Sequence, residues 1–358
     1  MFSPAKYFLA ACTFLMSLLL ATAPLAAQTG TEADLSLGSI DFPTSAEGEA
    51  QQEFLTGVLA LHSFWYPEAR DHFQKAQQLD PNFAMAYWGE AMTHDHPIWQ
   101  QHDQEAGRNV LNEMQQQSSL KWTEREQDYI SALQKLYAPD TSMEQRRQKY
   151  AAAMQTLAET YPEDDEALAF SALADMSLPS FEYSNPDVRD VVPIAARLEN
   201  LYQRHPDHPG AMHYLIHVYD NPKFAEMGLR PANDYASVAY SSPHAIHMPS
   251  HIYKQLEQWD QVIEANIRAW EASINWQQRT IRPLKDRDYH SYRWLFEAYL
   301  EVDNFDKACS IIENMHQIHR KSQAQNQDLG RIPGLIENFE NQYEENGRPS
   351  VRACPAES

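Results

Sequence analysis

Two histidine pairs, His213/His217 and His247/His251, each keep a four-residue spacing, and the second pair lies 34 residues after the first. On an α-helix, residues four apart share a face at about 5–6 Å, so both imidazoles of a pair can reach one ion bound at ~2.0–2.1 Å. Tyr219 and Tyr253, and Pro209 and Pro243, keep the same offset, which makes HYLIHVY and HMPSHIY structurally equivalent stretches. With His244, these form a candidate ligand set of five: His213, His217, His244, His247 and His251. Neutral imidazole suits a divalent transition metal such as zinc, copper or iron. Pro249 is tolerated without loss of a hydrogen bond only in a first helical turn, so a helix is expected to begin near His247. His244 and His247 would then sit at a helix N-terminus, where the dipole disfavours imidazolium and free N–H groups could instead hold a carboxylate or phosphate.

Other chemistry is thinner. Thr93-His94-Asp95-His96 precedes Pro97 at an expected helix end, with Asp95 and His96 toward the same side as the pairs, although a polar helix terminus would look alike. His205 and His208, in RHPDHP, read as solvated turn residues. Glu90, Asp175 and Asp220 could support histidines or act as acids, but capping and surface roles suit them as well. There is no HExxH, GxSxG, Walker, dinucleotide, CxxC or CxxCH motif, which removes built-in zinc proteolysis, a serine elbow, nucleotide cradles, thioredoxin-like exchange and covalent haem.

The elements that must carry these residues follow from composition and periodicity. A chain of 358 residues, 43% hydrophobic, with 11 glycines and 21 prolines, suits helices separated by proline-bearing turns. Lys6, the apolar run Phe8 to Leu20 and the small residues of ATAPLAA lay out a secretory signal peptide over residues 1–27, cleaved after Ala27. The run is too short for a spanning helix, and no other stretch of the mature chain could cross a bilayer. Leu9 to Cys12 resembles a lipoprotein box, but the apolar run continues past Cys12. Loss of Lys6 leaves 27 basic against 50 acidic residues, net −23, a poor match for nucleic acid or an anionic surface. Export implies a periplasmic or secreted protein, where Cys309 and Cys354 could pair. Residues 28–47 read as a linker, 48–343 as a helical domain, and 344–358 as a tail.

Within the domain, LTGVLALHSFWYPEARDHFQKAQQLDP places Leu55, Leu61, Phe64, Tyr66, Ala69, Phe73 and Ala76 at helical spacing over two segments closed by Pro81. Thr123-x-x-Glu126 is a capping box. Aromatic Tyr66, small Ala69 and Ala76, and Asp80-Pro81 resemble the tetratricopeptide repeat, and the 34-residue period agrees with it. The resemblance spans roughly residues 50–320. It implies an all-α, right-handed superhelical solenoid of five to six helical hairpins whose first helices line a concave groove. The clustered histidines also resemble a group of exported bacterial proteins with such repeats.

In that register His244, His247 and His251 take groove-facing positions 2, 5 and 9. His213 and His217 take 5 and 9 one repeat earlier, and His290, Arg293 and Glu297 take 2, 5 and 9 in the last repeat. Trp88 takes position 5 of its own. His290, Arg293, Glu297, Trp88 and His96 are therefore expected to contact a ligand beside the five metal candidates. The first reading is a groove that binds a small molecule, peptide or protein partner, with or without a metal. An enzyme using the same histidines, and a metal-free interaction scaffold, are the alternatives.

Overall fold

A computed structural model of the chain describes residues 35–346. The expected signal peptide, Cys12, Cys354 and most of the expected tail lie outside the described residues. Cys309 is disulfide-bonded.

The described chain is an all-α array of helical hairpins. Consecutive helices pack in pairs: α1 (Gly48–His62) with α2 (Tyr66–Leu79), α3 (Ala84–Met92) with α4 (Gln104–Gln115), and α5 (Glu124–Leu136) with α6 (Met143–Thr160). Then follow α7 (Asp165–Met176) with α8 (Val188–Arg204), and α9 (Pro209–Tyr219) with α10 (Ala225–Val238). The histidine-rich first helix of the next pair is split into α11 (Pro243–His247) and α12 (Pro249–Gln255), which pack on α13 (Trp259–Arg279). The array closes with α14 (Tyr289–Glu301), α15 (Phe305–Ala324) and α16 (Ile332–Glu345). The α3–α4 pair carries a small ribbon, β1 (Asp95–His96) against β2 (Gln101–His102), and an amphipathic second helix without repeat signature, which is why periodicity passes over it.

Local chemistry sets the ends. The expected capping box at α5 is present: the Thr123 hydroxyl accepts from the Glu126 amide at 3.2 Å and the Glu126 carboxylate accepts from the Thr123 amide at 2.5 Å. Asp164, Asp187, Ser242 and Asp288 cap α7, α8, α11 and α14 in the same manner. A helix does start at Pro249, as α12, but a short helix precedes it, so His244 and His247 lie on α11 rather than at the start of α12. The helix begins at Pro243 and is interrupted at Met248, whose φ of −52° and ψ of −37° keep the α-region geometry, so α12 resumes where Pro249 needs no donor.

Two features depart from an open groove behind a linker. Residues 35–46 are packed rather than free: Leu37 is fully buried, Phe42 is 1% exposed, and the Ser39 amide donates to the Asp207 carbonyl at 3.1 Å. The first hairpin also lies against the inner face, with α1 on α9 and the α1–α2 turn reaching the histidine helices. Phe64, at φ +51°, turns its ring into that face. The end of α13 meets the first hairpin as well, where the Trp276 indole donates to Glu68 at 2.6 Å and lies tilted against Trp65 at 5.4 Å. The concave side is thus enclosed.

Candidate metal centre

The five histidines do not surround one point. They divide, with His290, into two sets of three: His213, His217 and His244, and His247, His251 and His290. Within each set the nearest ligand atoms all lie within 4.8 Å of one another. Each HxxxH pair closes as helical spacing requires, at 3.2 Å between the Nε2 atoms of His213 and His217 and 3.1 Å between those of His247 and His251. Two imidazole nitrogens on one ion at ~2.0–2.1 Å, roughly 100° apart, are separated by about that much. The third member arrives from the first helix of the following pair, His244 from α11 and His290 from α14.

The proton positions give this geometry its meaning. His247 Nδ1 faces the Asn266 carbonyl oxygen at 2.6 Å, and the amide nitrogen of Asn266 donates to the Val262 carbonyl at 2.7 Å, which fixes the amide's orientation. His251 Nδ1 faces the Asp220 carboxylate at 2.6 Å, and His213 Nδ1 faces the His62 backbone carbonyl at 2.6 Å. Each acceptor requires a proton on Nδ1, leaving the Nε2 lone pair of all three rings directed inward. At His247 and His251 two lone pairs consequently face each other at 3.1 Å, an arrangement that only a cation between them stabilises. A proton is a poor candidate for that cation. Burial, aided by neighbouring imidazoles, holds His217, His244 and His247 well below the ordinary histidine value and brings His213 and His290 to about 3. His244 adds a buried Nε2 with no hydrogen-bond partner.

The two sets are neighbours. Ring centroids within a set lie 4.7–5.1 Å apart for His247–His290, His213–His217, His247–His251 and His213–His244. Between sets, His217–His251 is 5.6 Å, His244–His247 5.8 Å and His244–His290 6.2 Å. Six rings therefore form one cage with two centres. Phe64 covers the first set, 4.3 Å from the His213 ring, and Trp294 covers the second, 4.4 Å from His251. His244 and His290, one from each set, line a cavity of about 350 Å³.

The remaining expected residues separate by role. His96 lines that same cavity and stacks on Tyr66 at 3.8 Å. Arg293 and Glu297 pair with each other at 2.7 Å, Arg293 half exposed, as a charged i, i+4 pair on one helix face does. Trp88 is a core residue packed by Tyr129 and Phe170 at 5.6 and 5.5 Å. Asp95 is held by Arg147 at 2.9 Å, Glu90 accepts from Gln74 and Gln77, and Asp175 pairs with Arg197. His205 is half exposed against Asp165, as a turn residue should be, but His208 is 1% exposed.

His208 belongs to a third cluster that the sequence does not reveal. The Ala211 amide donates to His208 Nδ1 at 3.2 Å, so Nε2–H points to Glu166 at 3.2 Å, while His62 Nε2–H points to the other Glu166 oxygen at 2.5 Å and its Nδ1 lies 2.8 Å from the Tyr214 hydroxyl. Burial alone would raise the Glu166 carboxyl, but the two imidazoles outweigh it and hold the group below its ordinary range. Here every nitrogen has a proton partner, so the cluster is satisfied without an ion. It clamps α1, α7 and α9 together.

No protein-family model and no curated protein matches the chain. Among solved structures it is similar to the crystal structure of yeast Tom70, at 10% identity over 86% of this chain and 67% of that chain, with a TM-score of 0.37. Among the described residues no helix is long and apolar enough to cross a membrane.

Proposed function

We propose that this is an exported metalloenzyme whose enclosed helical-repeat scaffold holds two transition-metal ions side by side, one on His213, His217 and His244 and one on His247, His251 and His290. The observation that carries the reading is the pair of inward lone pairs at 3.1 Å on rings whose other nitrogens are tied to acceptors. An all-imidazole donor set, without a carboxylate in either trio, favours copper first and zinc second over iron or manganese. Three protein ligands per ion leave coordination positions for water or substrate, as in catalytic rather than structural centres. The cavity, of a size that takes a small molecule, meets one histidine of each trio, so a bound molecule would lie beside both ions. Export rests on the leader-like first 27 residues.

The enclosed inner face admits small molecules to the histidines; a protein partner of the kind that helical-repeat folds engage would dock on the outer faces. Metal analysis of the untagged mature protein, purified without chelator, should find two ions per chain. His251→Ala should leave one. A wild-type protein that takes up no copper or zinc on reconstitution, while remaining helical, overturns the proposal.

A further inference from the structure

The cavity beside the cage has an uneven lining. Four aromatic side chains, Phe64, Trp65, Trp99 and Trp276, form its walls, and Trp99 also packs edge-on to both cage histidines that border it, 5.4 Å from His244 and 6.3 Å from His290. The lining also carries four charged residues, Asp286 and Asp288 with Arg287 and Arg331. Arg287 is spent on the Gln277 carbonyl oxygen, to which Nε and Nη2 donate at 3.2 and 3.0 Å. Asp288 is only half spent. Its Oδ1 accepts from the amides of His290 and Ser291 at 3.1 and 3.2 Å, whereas Oδ2 is buried with no partner.

A buried carboxylate oxygen without a donor is costly. Its place in the lining, two residues from His290, points to a donor supplied from the cavity. Aromatic walls select a flat ring, and an acceptor in the lining selects a hydroxyl or amino group on it. A carboxylate-bearing ring offers Asp288 no donor and adds an anion beside Asp286 and Asp288, with Arg287 already held by Gln277 and Arg331 left as the opposing cation.

We infer that the cavity is the substrate site of the proposed enzyme and takes a hydroxy- or amino-substituted aromatic ring, with its donor on Asp288 and its face between Trp99 and Trp276. The inference rests on the metal reading for the word substrate. Recognition itself does not, because neither Asp288 nor the tryptophans that would hold the ring are among the six ligands.

Titration calorimetry, supported by quenching of tryptophan fluorescence, can use three matched probes: 2-naphthol, 2-methoxynaphthalene and 2-naphthoate. The full mature protein would be titrated both as isolated and after chelator treatment, with metal content measured on each sample. The expected order is 2-naphthol tightest, the methyl ether about tenfold weaker for want of the donor, and the naphthoate weakest. Asp288→Asn keeps a side-chain oxygen for the α14 amides and should erase the naphthol preference. Trp99→Ala should weaken naphthol and ether alike. Equal binding of naphthol and ether, tighter naphthoate, or no binding by a folded protein overturns the inference. If Asp288→Asn does not fold, the wild-type probe order still decides. Naphthol binding by metal-poor protein with the expected order would uphold the site while leaving the metal reading to fail separately.

Discussion

The imidazole hydrogen bonds behind the cage decide which nitrogen faces inward, so the supporting residues should matter almost as much as the ligands. Asn266 is fully buried on α13 and makes no contact that packing alone would require of an amide. Asn266→Ala frees the His247 ring to change tautomer and should lower metal affinity about 10–100-fold, read by competition with a chromogenic chelator. A fall in unfolding midpoint with metal affinity unchanged would make Asn266 merely structural. Glu166 offers the contrasting case of a buried charge that needs no ion. Because its folded value is depressed below the ordinary 4.5, the stability it contributes is present above about pH 4.5 and lost as pH falls below that, toward the folded value. Glu166→Gln should cost about 3–5 kcal/mol at neutral pH and flatten the acid limb of stability between pH 5 and 3, measured by denaturant titration. An unaltered acid limb would show that the His62–Glu166–His208 clamp is not formed. The sequence makes the HxxxH pairs visible because both their spacing and their offset are local. It conceals His62 and Phe64, which reach the histidines from about 150 residues away, and it offers His208 as a turn residue because burial by α1 is not a local property.

Helix-level order was legible wherever caps, prolines and 3.6-residue periodicity agreed, as at α1–α2 and α5. It was incomplete at α11–α12, where α12 does start at Pro249 but Pro243 and the Ser242 cap begin a short helix before it and Met248 carries the chain through. The register nevertheless survived, since His244, His247 and His251 keep one face across the break. How closely α9 approaches α1 is set by Gly210. A Cβ there would lie 2.4 Å from His62 Nδ1 and 2.9 Å from its Cε1, well inside contact distance. Gly210→Ala should therefore push the two helices apart and lengthen the His213 bond to the His62 carbonyl, at a cost of about 1–3 kcal/mol. Chemical denaturation gives the cost, and a matched loss of one metal ion would report the displaced ring. No change in either would mean that α9 does not pack on α1 through this glycine.

The whole molecule differs from an open repeat array in that α13, the partner of the split α11–α12 helix, returns to its first hairpin, and that closure is what makes a bounded cavity out of a groove. Repeat physics predicts neighbour contacts only, so nothing in the period could foretell a contact such as Trp276 with Glu68, 208 residues apart. The closure rests on few groups: the Trp276 indole on Glu68 and Trp65, and Arg282, which pairs with Asp71 and lies 4.9 Å over the Trp276 ring. Trp276 is 4% exposed, so truncating it removes a large buried side chain and leaves Glu68 without its donor. Trp276→Ala should lower stability by about 3–5 kcal/mol, yet the hairpins far from the seam should keep their helicity. The sharper consequence is kinetic. With the seam loosened, His244 and His290 gain access to solvent, so chelator should strip metal faster while the six ligands stay in place. Hydrogen exchange should rise in α2, α13 and the turn at Phe64, and not in α5–α8. Uniform exchange across the molecule, or an unaltered stripping rate in a folded variant, would mean that the cage is sealed by its own pairs and that closure of the array serves packing alone.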